Sequence, residues 1–382
     1  MLITSLHINT YNVLYLHAFM FYKLINEVIL LILIGMLHHR KNPEKVMKSY
    51  AYASVAKAEG AELLYFSPNA VNFEKKIING YVYIDGSWEK IQSPFPDVIY
   101  NTGSPEKLAL SSEIISKLKE EIPFTTNSIG NKMKVYERLL NADEFTNYLI
   151  PSIYIHSTRS FFDFFNSYKK IIFKPVNGHK GQNIVFIERI RDEFHLLVGT
   201  ENYTYTWDEL RKFVSSTIRE ELYLVQPYIN CKTKSGNAYD FRLQVQKNGE
   251  GKWVITQCYP RIAPNGSIIS NINNGGATNY LVPFLKQEFD GEYYNVKRYL
   301  ETFSLQLATH MDEIQQDKFS EFIDELGIDA GLDDSGKIWI YEVNWRPGCP
   351  PAFYLELNVV RNMIKYAIFL CNEHKAKNIA LN

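Results

Sequence analysis

The stretch GIDAGLDDSGKIWIYEVNWRPG, residues 327–348, is the most informative part of the chain because it places oxygen ligands on two adjacent strands. The turn-forming segment 333–336 separates two apolar segments, which predicts a hairpin that brings Asp329 close to Glu342. Glu342 and Asn344 lie two residues apart on an extended segment, so their side chains share one face. Carboxylate and amide oxygens favour Mg²⁺ or Mn²⁺. The stretch therefore predicts a metal site formed by Asp329, Glu342 and Asn344.

A solvated hairpin end is the alternative interpretation of these acids, and a second segment of the chain favours the functional one. Residues 171–184 read IIFKPVNGHKGQNI: an apolar strand ends at Lys174, a loop contains Gly178 and Gly181, and another apolar segment follows. The lysine provides a point charge, and the glycines let the backbone approach phosphate oxygens closely, as a triphosphate requires. Neither the Walker A pattern nor Gly-x-Gly-x-x-Gly is present. Taken alone, Lys174 is also explained as a surface lysine whose stem covers apolar surface.

Further motifs lie between these two segments, and each has an ordinary structural explanation when it stands alone. Arg242 alternates with apolar residues as on the outer face of a strand, and the segment 270–276, SNINNGG, has the composition of a turn. The full set, in chain order, is Lys174-Pro175 with Gly178 and Gly181, Asp240-Phe241-Arg242, Arg261, Ser270-Asn271 with Gly275-Gly276, and Asp329 with Glu342-x-Asn344-x-x-Pro347-Gly348. This order resembles that of ATP-grasp enzymes, as does the separation of 13 residues between Asp329 and Glu342 (342 − 329).

The resemblance is closer to one group within that superfamily, the YheC/YheD-like spore-coat-associated ATP-grasp proteins. It rests on the segment 96–101 (PDVIYN), on Trp253 and on the segment 261–276, and it extends over residues 28–372. It implies an α/β (α+β) chain with an ATP-grasp fold behind a Rossmann-like, pre-ATP-grasp α/β domain. In residue numbers, we expect an N-terminal extension at 1–27, the leading domain at 28–125, and the two ATP-grasp halves at 126–225 and 226–382.

The resemblance also assigns roles to individual residues. It implies that Lys132, Lys174, Gly178 and Gly181 contact ATP phosphates, that Gln226, Tyr228 and Ile229 receive the adenine, that Asn271 lies at the nucleotide end, that Arg242 and Arg261 line the phosphate and acyl-phosphate side as catalytic residues, and that Asp329, Glu342 and Asn344 hold one or two Mg²⁺ (or Mn²⁺) ions. Gln226 stands where many relatives carry glutamate, and Met133 stands where relatives often carry an aromatic residue. The implied cofactors are ATP and Mg²⁺.

Patterns of apolar residues predict the elements that would carry these residues. A chain of 382 residues is too long for one ordinary core, so more than one domain is expected. The predicted elements are strands at 28–37, 62–66 and 96–100, a hairpin at 80–91, a strand, loop and strand over 171–187, and helices at 46–58, 132–140, 296–314 and 358–370.

Composition excludes some classes of function. The 41 basic and 42 acidic residues nearly balance, so no nucleic-acid partner is expected. Cys231, Cys258, Cys349 and Cys371 lack Cys-x-x-Cys spacing, which is typical of reduced thiols in a cytoplasmic protein. The apolar run 28–37 is shorter than a membrane helix and lacks the flanks of a signal peptide, so no membrane association is expected.

The function that the resemblance implies is that of a carboxylate-amine ligase. In that chemistry ATP phosphorylates a carboxylate of a small molecule or peptide, and an amine acceptor attacks the acyl phosphate. Spore-coat proteins are a further class of partner, and coat association is a further location. Two alternatives remain open at this point: a nucleotide-binding assembly protein of the spore coat without turnover, and a kinase that stops at phosphorylation.

Overall fold

The computed structural model describes residues 31–102, 111–130, 132–176, 183–268, 270, 275–347 and 356–380. The chain divides into two compact units. One contains the described residues up to Phe124 together with those from Ala367 onward, and the other runs from Thr125 to Tyr366. The four-part division expected from the sequence stays a prediction, and its extension at 1–27 lies outside the described residues.

The sheet of the first unit is built around a buried apolar strand, β1 (Ile32–Leu37), which pairs in parallel with β2 (Ala61–Phe66) and with β6 (Val98–Asn101). A continuous apolar run suits a strand that is covered on both faces. Gly35 is required in this strand because a Cβ atom there would lie 2.7 Å from the Pro96 side chain. The strand order is β3-β4-β2-β1-β6-β7, with β5 paired to β4. The other elements are α1 (Met47–Ala58), β3 (Val71–Asn72), β4 (Ile77–Ile84), β5 (Ser87–Pro94), α2 (Ser111–Glu121) and β7 (Phe124–Thr125).

The second unit begins with an antiparallel sheet of order β12-β11-β10-β9-β13-β8. Its elements are α3 (Lys132–Leu140), β8 (Ile153–Ile155), α4 (Thr158–Ser167), β9 (Lys170–Pro175), β10 (Val185–Ile190), β11 (Glu193–Val198), β12 (Glu201–Tyr205), α5 (Trp207–Glu220) and β13 (Tyr223–Pro227). Capping boxes begin α4 at Ser157 and α5 at Thr206, so each helix has a defined N-terminus. Apolar residues of both helices cover one face of the sheet, and Ile172 and Lys174 of β9 project from the other face.

The other sheet of this unit has the order β16-β15-β14-β17-β18. The elements of this part of the unit are β14 (Tyr239–Lys247), β15 (Trp253–Ile262), β16 (Ala277–Thr278), α6 (Leu281–Phe289), α7 (Tyr293–Phe319), β17 (Glu325–Leu332) and β18 (Ile338–Asn344). The last helix, α8 (Glu356–Ala380), belongs to the second unit up to Tyr366 and to the first unit from Ala367. Phe241 and Leu243 of β14 share a core with Leu307 and Met311 of α7. Because strand side chains alternate, Asp240 and Arg242 of β14 project from the opposite face.

The elements predicted from the sequence are present wherever they fall on described residues. The strand predicted at 28–37 is observed at Ile32–Leu37, and the helix predicted at 132–140 is observed over the same residues. Two helices are longer than predicted: α7 runs from 293 to 319 and α8 continues to 380. None of the described helices combines the length and the apolar character needed to cross a bilayer.

Candidate functional site

A cavity of about 390 Å³ is lined by residues from both sheets of the second unit. It gathers nine of the thirteen residues predicted for the site: Lys174, Gln226, Tyr228, Ile229, Arg242, Arg261, Asp329, Glu342 and Asn344. The predicted residues Gly178, Gly181 and Asn271 lie outside the described residues, as does the side chain of Lys132. Ile172 and Asn344, which are 172 positions apart in sequence, therefore line the same cavity.

The first wall of the cavity is formed by β9 and β13. Ile171 and Phe173 of β9 are buried in the core with α4 and α5, so Ile172 and Lys174 project from the other face into the cavity. Gln226 of β13 pairs with Ile172 in the ladder and is 8% exposed. Alternation along a half-buried strand is therefore what directs Lys174 into the cavity.

The segment that follows β13 has part of its backbone already engaged. The N–H of Tyr228 donates to the carbonyl of Lys170 at 3.0 Å, and the carbonyl of Ile229 accepts from the N–H of Cys231 at 3.1 Å. Burial raises the pKa of Tyr228 to about 12, and nearby Cys231 adds to this effect. Tyr228 is therefore a neutral phenol at physiological pH. That Gln226, Tyr228 and Ile229 receive the adenine stays a prediction.

The second wall carries a network of two arginines and two aspartates. Asp240 and Arg242 are two residues apart on β14 and share a face, Asp240 pairs with Arg261 of β15, and Arg242 pairs with Asp329 of β17. Arg242 Nε lies 2.5 Å from Asp329 Oδ1, and its Nη2 lies 3.2 Å from Asp329 Oδ2. Arg261 contacts Asp240 through Nε at 2.7 Å and through Nη2 at 2.5 Å. Arg261 Nη2 also reaches Asp329 Oδ2 at 3.1 Å, which joins the two pairs.

Burial and charge have opposite effects on the pKa values of the two aspartates in this network. All four side chains are at most 13% exposed, so both effects are large. Burial disfavours the charged form of Asp329, but Arg242 and Arg261 outweigh burial and lower its pKa below the usual value. Burial raises the pKa of Asp240, and its pairing with Arg261 opposes that change only in part. Both arginines remain charged. Bidentate pairing of this kind compensates for the loss of hydration at a buried ion pair.

A β-bulge in β18 shapes the third part of the cavity. Asp329 pairs with Glu342 but Ala330 pairs with Ile340, so Tyr341 is the additional residue. Tyr341 Oη donates to the Sγ atom of Cys231 at 3.1 Å, and both residues line the cavity. The bulge shifts the alternation by one residue, which directs Glu342 to the same space as Asp329.

The structure adds cavity residues that were not assigned from the sequence: Asp240, Arg346 and Tyr341. The guanidinium of Arg346 lies 3.9 Å from the centre of the Trp345 ring, where a cation–π contact is favourable. A Cβ atom at Gly327 would lie 2.4 Å from Pro347 Cβ, so this glycine lets the segment after β18 approach β17. Asp240 and Arg346 lie within motifs that are recognised in the sequence, so their polar character is the signal by which they could have been assigned to the site.

The predicted metal ligands meet in the cavity, but Asp329 is already engaged by two guanidiniums. Asp329 and Glu342 are opposite each other in the β17–β18 ladder, and Asn344 follows two residues later. Two carboxylates and an amide oxygen are a donor set that fits Mg²⁺ or Mn²⁺. Within the described part of the chain, no group of three or more histidine, cysteine, aspartate or glutamate residues could hold a metal ion. A cation here would need Asn344 and would compete with arginine for Asp329.

Comparison with known proteins gives the chain a family. A family model described as YheC/D-like ATP-grasp matches residues 121–370. Two proteins of Bacillus subtilis (strain 168) are similar. The endospore coat-associated protein YheD is 27% identical over 331 residues, which is 81% of this chain and 71% of that protein. The endospore coat-associated protein YheC is 23% identical over 310 residues, which is 76% of this chain and 81% of that protein.

Solved structures also resemble the chain. The ATP-grasp ligase PsnB, solved in complex with a minimal precursor, matches with a TM-score of 0.52 and 9% identity over 88% of this chain and 98% of that one. At this identity the similarity concerns the fold alone. The ATP-grasp fold that the sequence predicted is therefore confirmed, as is the resemblance to the YheC/YheD group.

Proposed function

The chain belongs to the YheC/D-like ATP-grasp family, and we propose that it is an Mg²⁺- and ATP-dependent carboxylate-amine ligase whose site is the cavity of the second unit. One observation carries this proposal: Lys174 on one wall faces the same space as Arg242, Arg261 and Asp329 on the other. A volume of about 390 Å³ is within the range of small-molecule sites, which is roughly 300–1,000 Å³.

The first wall is the proposed nucleotide side. Lys174 contributes the point charge that a phosphate group requires, and Gln226 together with the Ile229 N–H contributes hydrogen-bonding groups for the base. By the family resemblance, Lys132, Gly178, Gly181 and Asn271 complete this side.

The second wall is the proposed metal and substrate side. Asp329, Glu342 and Asn344 would hold Mg²⁺ or Mn²⁺, which neutralises phosphate charge when it is bound. Arg242 and Arg261 orient an anionic group and stabilise the charge that develops on it. No nucleophilic side chain is required in this chemistry. The Cys231 thiol is not expected to act as a nucleophile, because burial raises its pKa to about 12 and keeps it protonated.

The proposed substrates are a carboxylate of a small molecule or peptide and an amine acceptor, used in the cytoplasm. The names of YheD and YheC, endospore coat-associated proteins, support coat proteins as partners and coat association as a further location. Those names describe a location rather than a reaction. They therefore also support a second candidate function, in which the protein binds nucleotide for coat assembly without turnover.

Two measurements test the proposal. Calorimetry with ATP and with Mg²⁺ asks whether the nucleotide binds. A screen for ADP release then presents carboxylates, including amino acids, peptides and coat extracts, with and without amines. A ligase releases ADP in stoichiometric amounts when both substrates are present. Binding without ADP release under any condition favours the assembly function, and absence of ATP binding contradicts both.

A further inference from the structure

We infer that the two aspartates of the network have different tasks: Asp240 is a positioning residue that retains Arg261 in the cavity, whereas Asp329 exchanges Arg242 for a divalent cation. This inference rests on the proposed function, because the cation is the one that the ligase uses. It assigns Asp240 a role and it makes cation binding the event that frees Arg242 for an anionic group of the substrate.

The contacts of Arg261 show why it stays in place. Asp240 accepts two hydrogen bonds from Arg261, at 2.7 and 2.5 Å, and both residues are about 5–6% exposed. Arg261 reaches Asp329 through a single contact, at 3.1 Å. Loss of Asp329 would therefore leave Arg261 with its bidentate partner and with a compensated charge.

Arg242 is in a different position, because Asp329 supplies both of its ionic contacts, at 2.5 and 3.2 Å. Among the described residues, its remaining hydrogen bond goes to the neutral carbonyl of Pro347 at 3.4 Å. The side chain of Arg242 is only 13% exposed, so its charge needs a counter-ion. If Asp329 is withdrawn, an anion in the cavity is the counter-ion that restores the balance.

The other two proposed ligands of the cation are adjacent to Asp329. Glu342 lies opposite Asp329 in the ladder, and Glu342 and Asn344 line the same cavity. A divalent cation held by both carboxylates has twice the charge of a guanidinium, which favours the exchange. Cation binding and anion binding then strengthen each other, and by linkage the effect is equal in both directions.

The test measures Mg²⁺ and inorganic phosphate binding to the full chain by calorimetry, with correction for their pairing in solution. We expect phosphate to bind at least about fivefold more tightly at saturating Mg²⁺, which is the lower end of typical coupling.

Arg242→Met should abolish this coupling and, because a competitor for Asp329 is lost, should tighten Mg²⁺ binding. Asp240→Asn should weaken Mg²⁺ binding, because Arg261 then turns to Asp329. Arg211→Met, an exposed residue of α5, is the matched control and should behave as wild type.

Several outcomes overturn the inference without affecting the proposed function. If Arg242→Met weakens Mg²⁺ binding or keeps the coupling, Arg242 and the cation do not compete for Asp329. If Asp240→Asn leaves Mg²⁺ binding unchanged, Asp240 does not control Arg261. Should Arg242→Met fail to fold, Arg242→Lys, which retains the charge but loses the bidentate pairing, should tighten Mg²⁺ binding in the same direction. Failure of the wild-type chain to bind ATP with Mg²⁺ would instead contradict the proposed function itself.

Discussion

At the scale of single residues, replacement of Lys174 tests the proposed nucleotide wall. Lys174→Met keeps the aliphatic stem and removes the charge, so we expect ATP affinity to fall roughly ten- to a hundredfold, or about 1.5–3 kcal/mol, with the fold intact. Calorimetry measures the affinity. Lys170→Met is the control, since Lys170 lies on the same strand but is exposed and pairs with Glu188 at 2.9 Å. Equal affinity in wild type and Lys174→Met would remove Lys174 from the site.

Individual residues of the site differ in how far their positions follow from the sequence. Lys174 is predicted from its position at the end of an apolar strand, and the alternation in β9 places it in the cavity. The pairing of Asp240 with Arg261 could not be predicted, because the residues are 21 positions apart and their register depends on an irregularity between Gln244 and Val245. Residue type is visible in a sequence, but cross-strand partners are set by bulges and connections.

At the scale of elements, the bulge in β18 decides which residues reach the cavity. Ile338, Ile340 and Val343 are buried, so the apolar spacing changes from two residues to three between 340 and 343. That change is visible in the sequence and is the signal of a bulge, yet the hairpin was predicted without one. The sequence does not show which residue contacts Tyr341, the additional residue of the bulge, because its partner Cys231 lies 110 positions away.

Gly331 is the position at which the bulge can be tested. A Cβ atom there would lie 2.2 Å from Tyr341 Oη and 2.6 Å from Cys231 Sγ, so Gly331→Ala must displace Tyr341. Overpacking of this kind costs about 1–3 kcal/mol, which urea unfolding would detect as a lower free energy of unfolding. Gly291→Ala is the matched control, because nothing lies within 4 Å of its Cβ position. Similar stability of the two variants would mean that Tyr341 does not occupy this place.

At the scale of the whole molecule, a buried acid that does not line the cavity links segments of the second unit that are far apart in sequence. Asp324 accepts hydrogen bonds from the backbone N–H and the hydroxyl of Thr126, which has a left-handed backbone with φ of 60°. Lys247 and Asp312 are its charged neighbours. Burial raises the pKa of Asp324 to about 6, although the hydrogen bonds from Thr126 and the charge of Lys247 oppose this change.

This raised pKa gives a pH dependence with a defined sign. The folded chain binds the Asp324 proton more tightly than the unfolded chain, whose aspartate pKa is about 3.9, so the stabilisation is complete below about pH 4 and is lost as the pH rises to about 6. The free energy of unfolding that is lost over this pH range amounts to at most about 3 kcal/mol. Asp324→Asn should remove this fall in urea-unfolding free energy between pH 4 and 6, whereas the exposed control Asp163→Asn should retain it. A variant with the wild-type pH profile would exclude Asp324 as its source.

The proposal that the cavity binds ATP through a divalent cation is tested most directly by Glu342→Gln. This change keeps the size of the side chain and removes one charge from the proposed donor set, so the cation should be held less tightly while the hairpin still folds. The measurement is ATP affinity as a function of Mg²⁺ concentration, with the affinity without metal as the internal control. We predict that the variant needs much more Mg²⁺ for the same ATP affinity and that its metal-free affinity is little changed. A variant that responds to Mg²⁺ as the wild type does would contradict the account.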